Sequence, residues 1–278
     1  MDMNTLPVVR IAGTNRKETQ AVVASEFPLT VFLNDVELVT LLCSPSDLDN
    51  LAVGFLFAEG FLKSKDDIKN LTVNERTGIV RVTRHGEFDL SRELLFKRLI
   101  TSACGRGAAF YSTADAQNLT KIDSGITISS RRVFNLLDKF NRRSELFKTS
   151  GGVHSAALAD GDDILIFKDD LGRHNAIDKV FGECLLKEIP TEERILITSG
   201  RAPSEMILKA AKGKVPILVA VGSTTDLGVR LADNLGVTLV GFARGKDMTI
   251  YTHGWRIADE QAPAKKGGRL ENGKTANK

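Results

Sequence analysis

Apolar and polar positions alternate through Leu29-Thr-Val-Phe-Leu33 and again through Val36-Glu-Leu-Val-Thr-Leu-Leu42, with Asn34-Asp35 between them. That pattern predicts two strands joined by a tight turn. Ser44-Pro45-Ser46-Asp47 then opens a helix, with Ser46 the expected N-cap and Asp47 and Asp49 suited to the positive end of its dipole. Leu48, Leu51, Ala52, Phe55 and Leu56 recur at helical spacing, and Gly60 marks the stop. A second hairpin is expected over 71–74 and 79–83, turning through Arg76-Thr77-Gly78.

From Ser130 the period changes. Helices are predicted at 131–142, 176–187, 204–212 and 225–235. Strands are predicted at 155–158, 164–167, 194–198, 216–221, 237–242 and 248–251. Helices alternating with strands imply α/β layering on a largely parallel sheet, with ligands held beyond the carboxyl ends of the strands. The loops so placed are Ser199–Ser204, Gly222–Asp226 and Ala243–Asp247. Residues 1–20 and 257–278 show no period and are expected to be disordered. Between them the chain divides into a smaller α+β domain over 21–125 and an α/β domain over 126–256.

Composition narrows the class. The 278 residues are 42% hydrophobic and 26% charged, which is globular. Net charge is +3, and the tail from Ile257 carries five bases against three acids, so the body is nearly neutral. That balance argues against nucleic acid. Uncharged runs do not exceed the eleven residues of Thr149–Ala159 and Val215–Thr225, short of the ~20 that a membrane helix needs. The N-terminal MDMNTLPVVR lacks the order of a signal peptide, and Cys43, Cys104 and Cys184 form no CxxC pair. The expectation is a cytoplasmic, reducing location.

Candidate chemistry concentrates in a few segments. Cys104 lies in Thr101-Ser-Ala-Cys-Gly-Arg-Gly-Ala108, where small neighbours give access and Arg106 favours the thiolate. The alternative is an incidental loop cysteine. Cys184 shares a helical face with Ile177, Val180, Phe181 and Leu185, and Cys43 ends an apolar strand, so both are expected in the core. In Asp169-Asp170-Leu-Gly-Arg-His-Asn-Ala-Ile-Asp178, Arg173 and His174 are donors suited to an anion, while Asn175 and Asp178 fit a helix start. Gly151-Gly152-Val153-His154 leaves His154 open between a buried role and a site role. Arg201, in Ser199-Gly200-Arg201-Ala-Pro-Ser-Glu205, follows a strand and opens a helix. Phe242-Ala243-Arg244-Gly245-Lys246-Asp247 offers two bases around a glycine, for a diphosphate or as a plain hairpin turn. His85, His154, His174 and His253 are not at metal-ligand spacing, so no metal is expected, and a GxSxG elbow is lacking.

Taken together, Ser44–Gly60, Gly151–His154, Asp170–Lys179, Ser199–Ala202 and Leu239–Phe242 followed by Tyr251-Thr252 resemble the FdhD family of formate dehydrogenase accessory sulfurtransferases, from about Glu26 to His253. The resemblance implies a cytidine-deaminase-like α/β/α domain preceded by a smaller α+β domain. It implies a sulfur carrier that takes persulfide sulfur from a cysteine desulfurase. The sulfur then passes to the molybdenum cofactor, Mo-bis(molybdopterin guanine dinucleotide), a bound substrate, before insertion into apo formate dehydrogenase. Cys104-Gly105-Arg106 matches the first half of the family's Cys-Gly-x-Cys-Gly motif, so the persulfide role carries over to Cys104. Gly107 stands where the second cysteine is often found, which leaves a single-cysteine relay in which the acceptor attacks the outer sulfur. The family's cofactor segment maps onto Phe242, Ala243, Arg244, Gly245, Lys246 and Asp247.

The deaminase zinc ligands have counterparts in His174-Asn-Ala and Ala202-Pro-Ser-Glu, where no cysteine remains, so no zinc is expected. The family precedent leans to a homodimer. The competing readings are a cofactor chaperone that carries no sulfur and, more remotely, a deaminase-like zinc enzyme.

Overall fold

The computed structural model describes residues 2–86, the backbone of 99–100 and 108–109, and residues 119–259. It opens on a feature the sequence reading placed in a disordered terminus. Strands β1 (Met3–Ala12) and β2 (Asn15–Ala24) pair antiparallel along their whole length and turn at Gly13, φ +62°. The polar residues Asn15–Gln20 hide the strand period in β2, because the distal ribbon has no buried face to impose one.

Strands β3 (Phe27–Leu33) and β4 (Val36–Cys43) form the expected hairpin. Asn34 and Asp35 both take positive φ, 48° and 65°, as a type I′ turn requires. Helix α1 (Leu48–Ala58) follows and ends at Gly60, φ +80°. Its N-cap is Asp47 in the left-handed region, not Ser46; the Asp47 carboxylate accepts from Asn50 Nδ2 and from Lys168 Nζ. Strands β5 (Ile68–Asn74) and β6 (Ile79–Arg84) complete a sheet ordered β4-β3-β6-β5. Leu29, Val31, Leu33, Val80 and Val82 from this sheet bury against the apolar stripe of α1. Beyond it, Leu99–Ile100 (β7) pairs antiparallel with Ala108–Ala109 (β8).

The second half is built on a six-stranded sheet. After β9 (Ile128–Ser129), α2 (Ser130–Arg143) and α3 (Glu145–Ser150) come β10 (His154–Ala159), β11 (Ile164–Asp170) and α4 (Arg173–Leu186). Then follow β12 (Ile195–Thr198), α5 (Ser204–Lys212), β13 (Ile217–Ala220), α6 (Asp226–Leu235), β14 (Thr238–Arg244) and β15 (Asp247–Ile250). Strand order is β11-β10-β12-β13-β14-β15. The sheet is mixed, not largely parallel: only β12–β13 and β13–β14 run parallel. The β10–β11 and β14–β15 connections are hairpins, and hairpins force antiparallel pairing.

Successive residues of β12 and β13 bury on opposite faces. Leu196 and Leu218 pack with α4, α5 and α6, while Ile195, Ile197, Ile217 and Val219 pack with α2. Burial on both faces is why these strands read as unbroken apolar runs. The last described strand, β16 (Ile257–Ala258), pairs parallel with β9, and Ile257 is buried, so residues 257 and 258 are ordered where disorder was expected. Among the described residues no helix is long and apolar enough to cross a membrane.

Helix α4 lies between the six-stranded sheet and α1, and the two helices meet main chain to main chain. A Cβ on Gly54 of α1 would stand 1.8 Å from the Asp178 carbonyl oxygen, and one on Gly182 of α4 would stand 1.8 Å from that of Asn50. Only glycine permits that approach.

Candidate functional site

Because β12, β13 and β14 run parallel, the loops that follow them open on one edge and lie side by side. Gly222 N donates to Gly200 O at 3.1 Å, Ala202 N to Ser223 O at 2.9 Å, and Phe242 N to Gly222 O at 2.9 Å. A Cβ on Gly222 would come within 2.6 Å of Gly200 O, so the glycine sets the loop spacing. The three loops singled out in the sequence thus form one surface.

The segment Phe242–Asp247 is the corner of the β14–β15 hairpin at the end of that surface. A bulge between Gly241 and Arg244 puts Phe242 at φ +51° and turns its ring outward, 48% exposed, while Ala243 stays buried. An aromatic residue in the left-handed region is strained, and such strain collects at functional sites. Arg244 Nε donates to Val221 O at 3.0 Å, which draws the guanidinium across the neighbouring loop. Gly245 takes φ +60° in open space, and Lys246 and Asp247 are exposed.

The first turn of α4 borders the same loops. Arg173 packs on Gly200, where a Cβ would stand 3.0 Å from its own, and Arg173 Nε is buried without a hydrogen-bond partner among the described residues. His154 Nδ1 lies 3.3 Å from Ser199 Oγ, which accepts from Ser155 N at 2.9 Å. Burial first, and then the charges of Arg173 and His174, hold the His154 imidazole below its ordinary pKa. His174 Nε2 approaches Glu205 Oε2 to 2.6 Å, off the ideal hydrogen-bond direction. Burial alone would raise the Glu205 carboxyl, but His174, Lys209 and Arg173 bring it below the usual range. Arg201 is exposed beside them. Cationic donors with close-packed backbone amides suit a phosphate or similar anion.

Much of the run Asp169–Asp178 has a different task. Asp170 and Lys179, both fully buried, pair at 2.7 Å. Asp170 also accepts from Ser44 N, Gly172 N and Asn175 Nδ2, while Asn175 Nδ2 donates to Leu42 O as well. The N-cap of α4 is therefore Gly172, and Asn175 ties the helix to β4. Asp178 pairs with Lys209 at 2.5 Å, and burial outweighs that lysine to raise its carboxyl. Lys168 bridges Asp47 and Glu183, each at 2.6 Å. Sequence reading missed this lock, although Lys179 among Ala176, Ile177 and Val180 was a signal: a lysine on a buried stripe needs a carboxylate.

Cys43 and Cys184 are buried as expected, and burial first pushes both thiols up to about 12. Cys104 lies outside the described residues. A cleft of about 210 Å³ lined by Phe57, Phe181, Cys184 and Ile189 sits at the other end of α4 from Arg173.

The FdhD/NarQ family model matches residues 24–258 of the chain. The sulfur carrier protein FdhD of Bacillus pumilus is 41% identical over 237 residues, spanning 85% of this chain and 90% of that one. That of Geobacillus kaustophilus is 37% identical over 251 residues, 90% and 95% of the two chains. Among solved structures, a protein assigned as a formate dehydrogenase accessory protein from Desulfotalea psychrophila superposes with a TM-score of 0.80, over 93% of this chain and 100% of that one, at 25% identity.

Proposed function

The chain belongs to the FdhD/NarQ family, and from that premise we propose that it is a sulfur carrier in formate dehydrogenase maturation. The Cys104 thiolate attacks the outer sulfur of a cysteine desulfurase persulfide. The donor's S–S bond breaks, the electron pair leaves on the desulfurase thiolate, and Cys104 holds the new persulfide. Mo-bis(molybdopterin guanine dinucleotide), the substrate, in its reduced form then attacks the outer sulfur with an electron pair of its own. The persulfide S–S bond breaks, its pair leaves on Cys104, which returns to the thiolate, and the acceptor is oxidised by two electrons. Apo formate dehydrogenase receives the sulfurated cofactor.

The match along residues 24–258 to relatives named sulfur carrier protein FdhD carries this reading. Two observations support it. With Cys43 and Cys184 buried and their thiols near 12, Cys104 is the remaining thiol to act near neutral pH. Arg244 and Lys246 stand at the exposed corner beside the glycine-spaced loops, where a diphosphate would be held, with Phe242, Ala243, Gly245 and Asp247 shaping the turn. Arg173 and His154 border the same surface.

On this reading the six-stranded layer over 126–256 is a cytidine-deaminase-like scaffold reused without zinc. The two segments that this reading matches to the deaminase zinc helices meet through His174 and Glu205, 2.6 Å apart. A smaller α+β domain carries the Cys104 segment, and the protein works in the cytoplasm.

Intact-mass spectrometry after incubation with a cysteine desulfurase and cysteine tests the reading. The expected result is a gain of one sulfur, reversed by dithiothreitol and absent from Cys104→Ala. No gain beside a working desulfurase control would sink sulfur carriage. It would favour the competing reading, a cofactor chaperone that carries no sulfur and in which Cys104 is incidental.

A further inference from the structure

The basic side chains where α4 meets β10 are out of balance with their surroundings. Arg173 and His174 occupy the first turn of α4, which holds no acidic residue and whose N-cap, Gly172, brings no side-chain acceptor. Positive side chains at that end oppose the helix dipole. His174 is answered by Glu205 at 2.6 Å. Arg173 is not. Its Nε is shut off from solvent and has no acceptor among the described residues, a costly state for a charged donor. Asp170 has no oxygen to spare, because Lys179 and Ser44 N engage one and Gly172 N and Asn175 Nδ2 the other.

His154, the first residue of β10, stands opposite Asp170 in the strand register and completes the group. Its Nδ1 meets Ser199 Oγ at 3.3 Å, and that hydroxyl already accepts from Ser155 N. A hydroxyl can donate to a neutral Nδ1 or accept from a protonated one, so the contact survives in either charge state. Nε2 has no hydrogen-bond partner among the described residues. The charged and titratable groups facing this imidazole are Arg173 and His174 from α4 and Asp170 from β11, while the loop after β12 adds Arg201, exposed beside them. Burial and the two bases of α4 hold the ring neutral above its depressed pKa.

We propose that His154, Arg173 and the Ser199–Gly200 loop form a phosphate subsite beside the Arg244–Lys246 corner, in which binding of the anion brings a proton onto His154. Arg173 supplies a standing charge and its unpartnered Nε–H. His154 takes its proton from solvent and becomes a charged donor only when the phosphate is there. The anion is a phosphate group of the cofactor, so the inference rests on the reading of these loops as the diphosphate-binding face, and not on sulfur carriage. A phosphate beside the imidazole raises its pKa, so affinity is greatest at low pH and falls as pH rises through the bound-state value.

Calorimetric titration of the full chain with guanosine diphosphate tests it, between pH 7 and 8.5 and in two buffers of different ionisation enthalpy. Phosphate groups of this kind are already ionised in that range. The wild type should lose about three- to tenfold in affinity across it, and the two buffers should report uptake of a fraction of a proton per nucleotide. His154→Gln should remove both the slope and the uptake, and should approach the wild type at pH 8.5; a misfolded variant would bind poorly at every pH. Arg173→Gln should weaken binding about tenfold or more throughout. Lys246→Ala should lower the affinity and keep the proton uptake. Three results overturn the subsite and leave the corner's diphosphate reading standing: nucleotide bound without proton uptake, uptake that persists in His154→Gln, or Arg173→Gln binding like the wild type. A wild type that does not bind guanosine diphosphate overturns both.

Discussion

His154 links the site to pH. Burial and the neighbouring charges of Arg173 and His174 depress its pKa, Asp170 opposes them, and Ser199 is its hydrogen-bond neighbour. In the unfolded chain a histidine titrates near ~6.5. As pH falls below that value the unfolded state takes up a proton that the folded imidazole resists, so stability falls. The penalty is absent above ~6.5 and grows toward the depressed folded pKa. Urea unfolding at neutral and mildly acidic pH should show this loss, and His154→Gln should flatten that part of it. The corner bases make a separate prediction: if they grip a diphosphate, Lys246→Ala should cost about 1.5–3 kcal/mol of binding to guanosine diphosphate by calorimetric titration. Lys246 is the cleaner probe, because Arg244 also braces the loop at Val221. At this scale the sequence was legible where side-chain type decides the environment, as for Cys43 and Cys184. It was not legible for Asn175, whose partner is a carbonyl more than a hundred residues away.

Elements were readable wherever one period ran long enough. The helix Ser204–Lys212 stands where its apolar spacing put it, and the strands β12 and β13 lie within a residue of expectation. Strand direction was not readable, since pairing depends on how the chain returns and not on the strand's own residues. The ribbon escaped notice for a different reason: among the described residues its distal half buries nothing, and an unburied strand shows no inward period. The contact of α1 with α4 was also hidden, because a glycine in a helix shows only its weak propensity. Gly54→Ala sets two effects against each other. Alanine gains about 1 kcal/mol of helix propensity over glycine. Overpacking costs typically 1–3 kcal/mol, and here the obstacle is the Asp178 carbonyl, which has no rotamer to move aside. Overpacking should win, and chemical denaturation of Gly54→Ala and Gly182→Ala should show a net loss in both.

At the largest scale the described core is a stack: four-stranded sheet, α1, α4 with its neighbours, six-stranded sheet, α2. Its depth is what buries Cys43 and Cys184 and pushes their thiols up. In the native protein at neutral pH, Cys43 and Cys184 should resist a thiol reagent such as dithionitrobenzoate, and all three thiols should react after denaturation. Rapid native labelling of either would contradict the packing.

The seam between the halves has one more consequence. Side chains at an interface are usually adjustable parts, able to shift a little and so let one half loosen while the other stays whole. At Gly54 and Gly182 there are no such parts, only two backbones in register, with the buried Asp170–Lys179 pair beside them. A joint of that kind has no intermediate setting. Heat should therefore not peel the small sheet from the large one, and a calorimeter should record a single transition from a chain whose sequence reads as two halves.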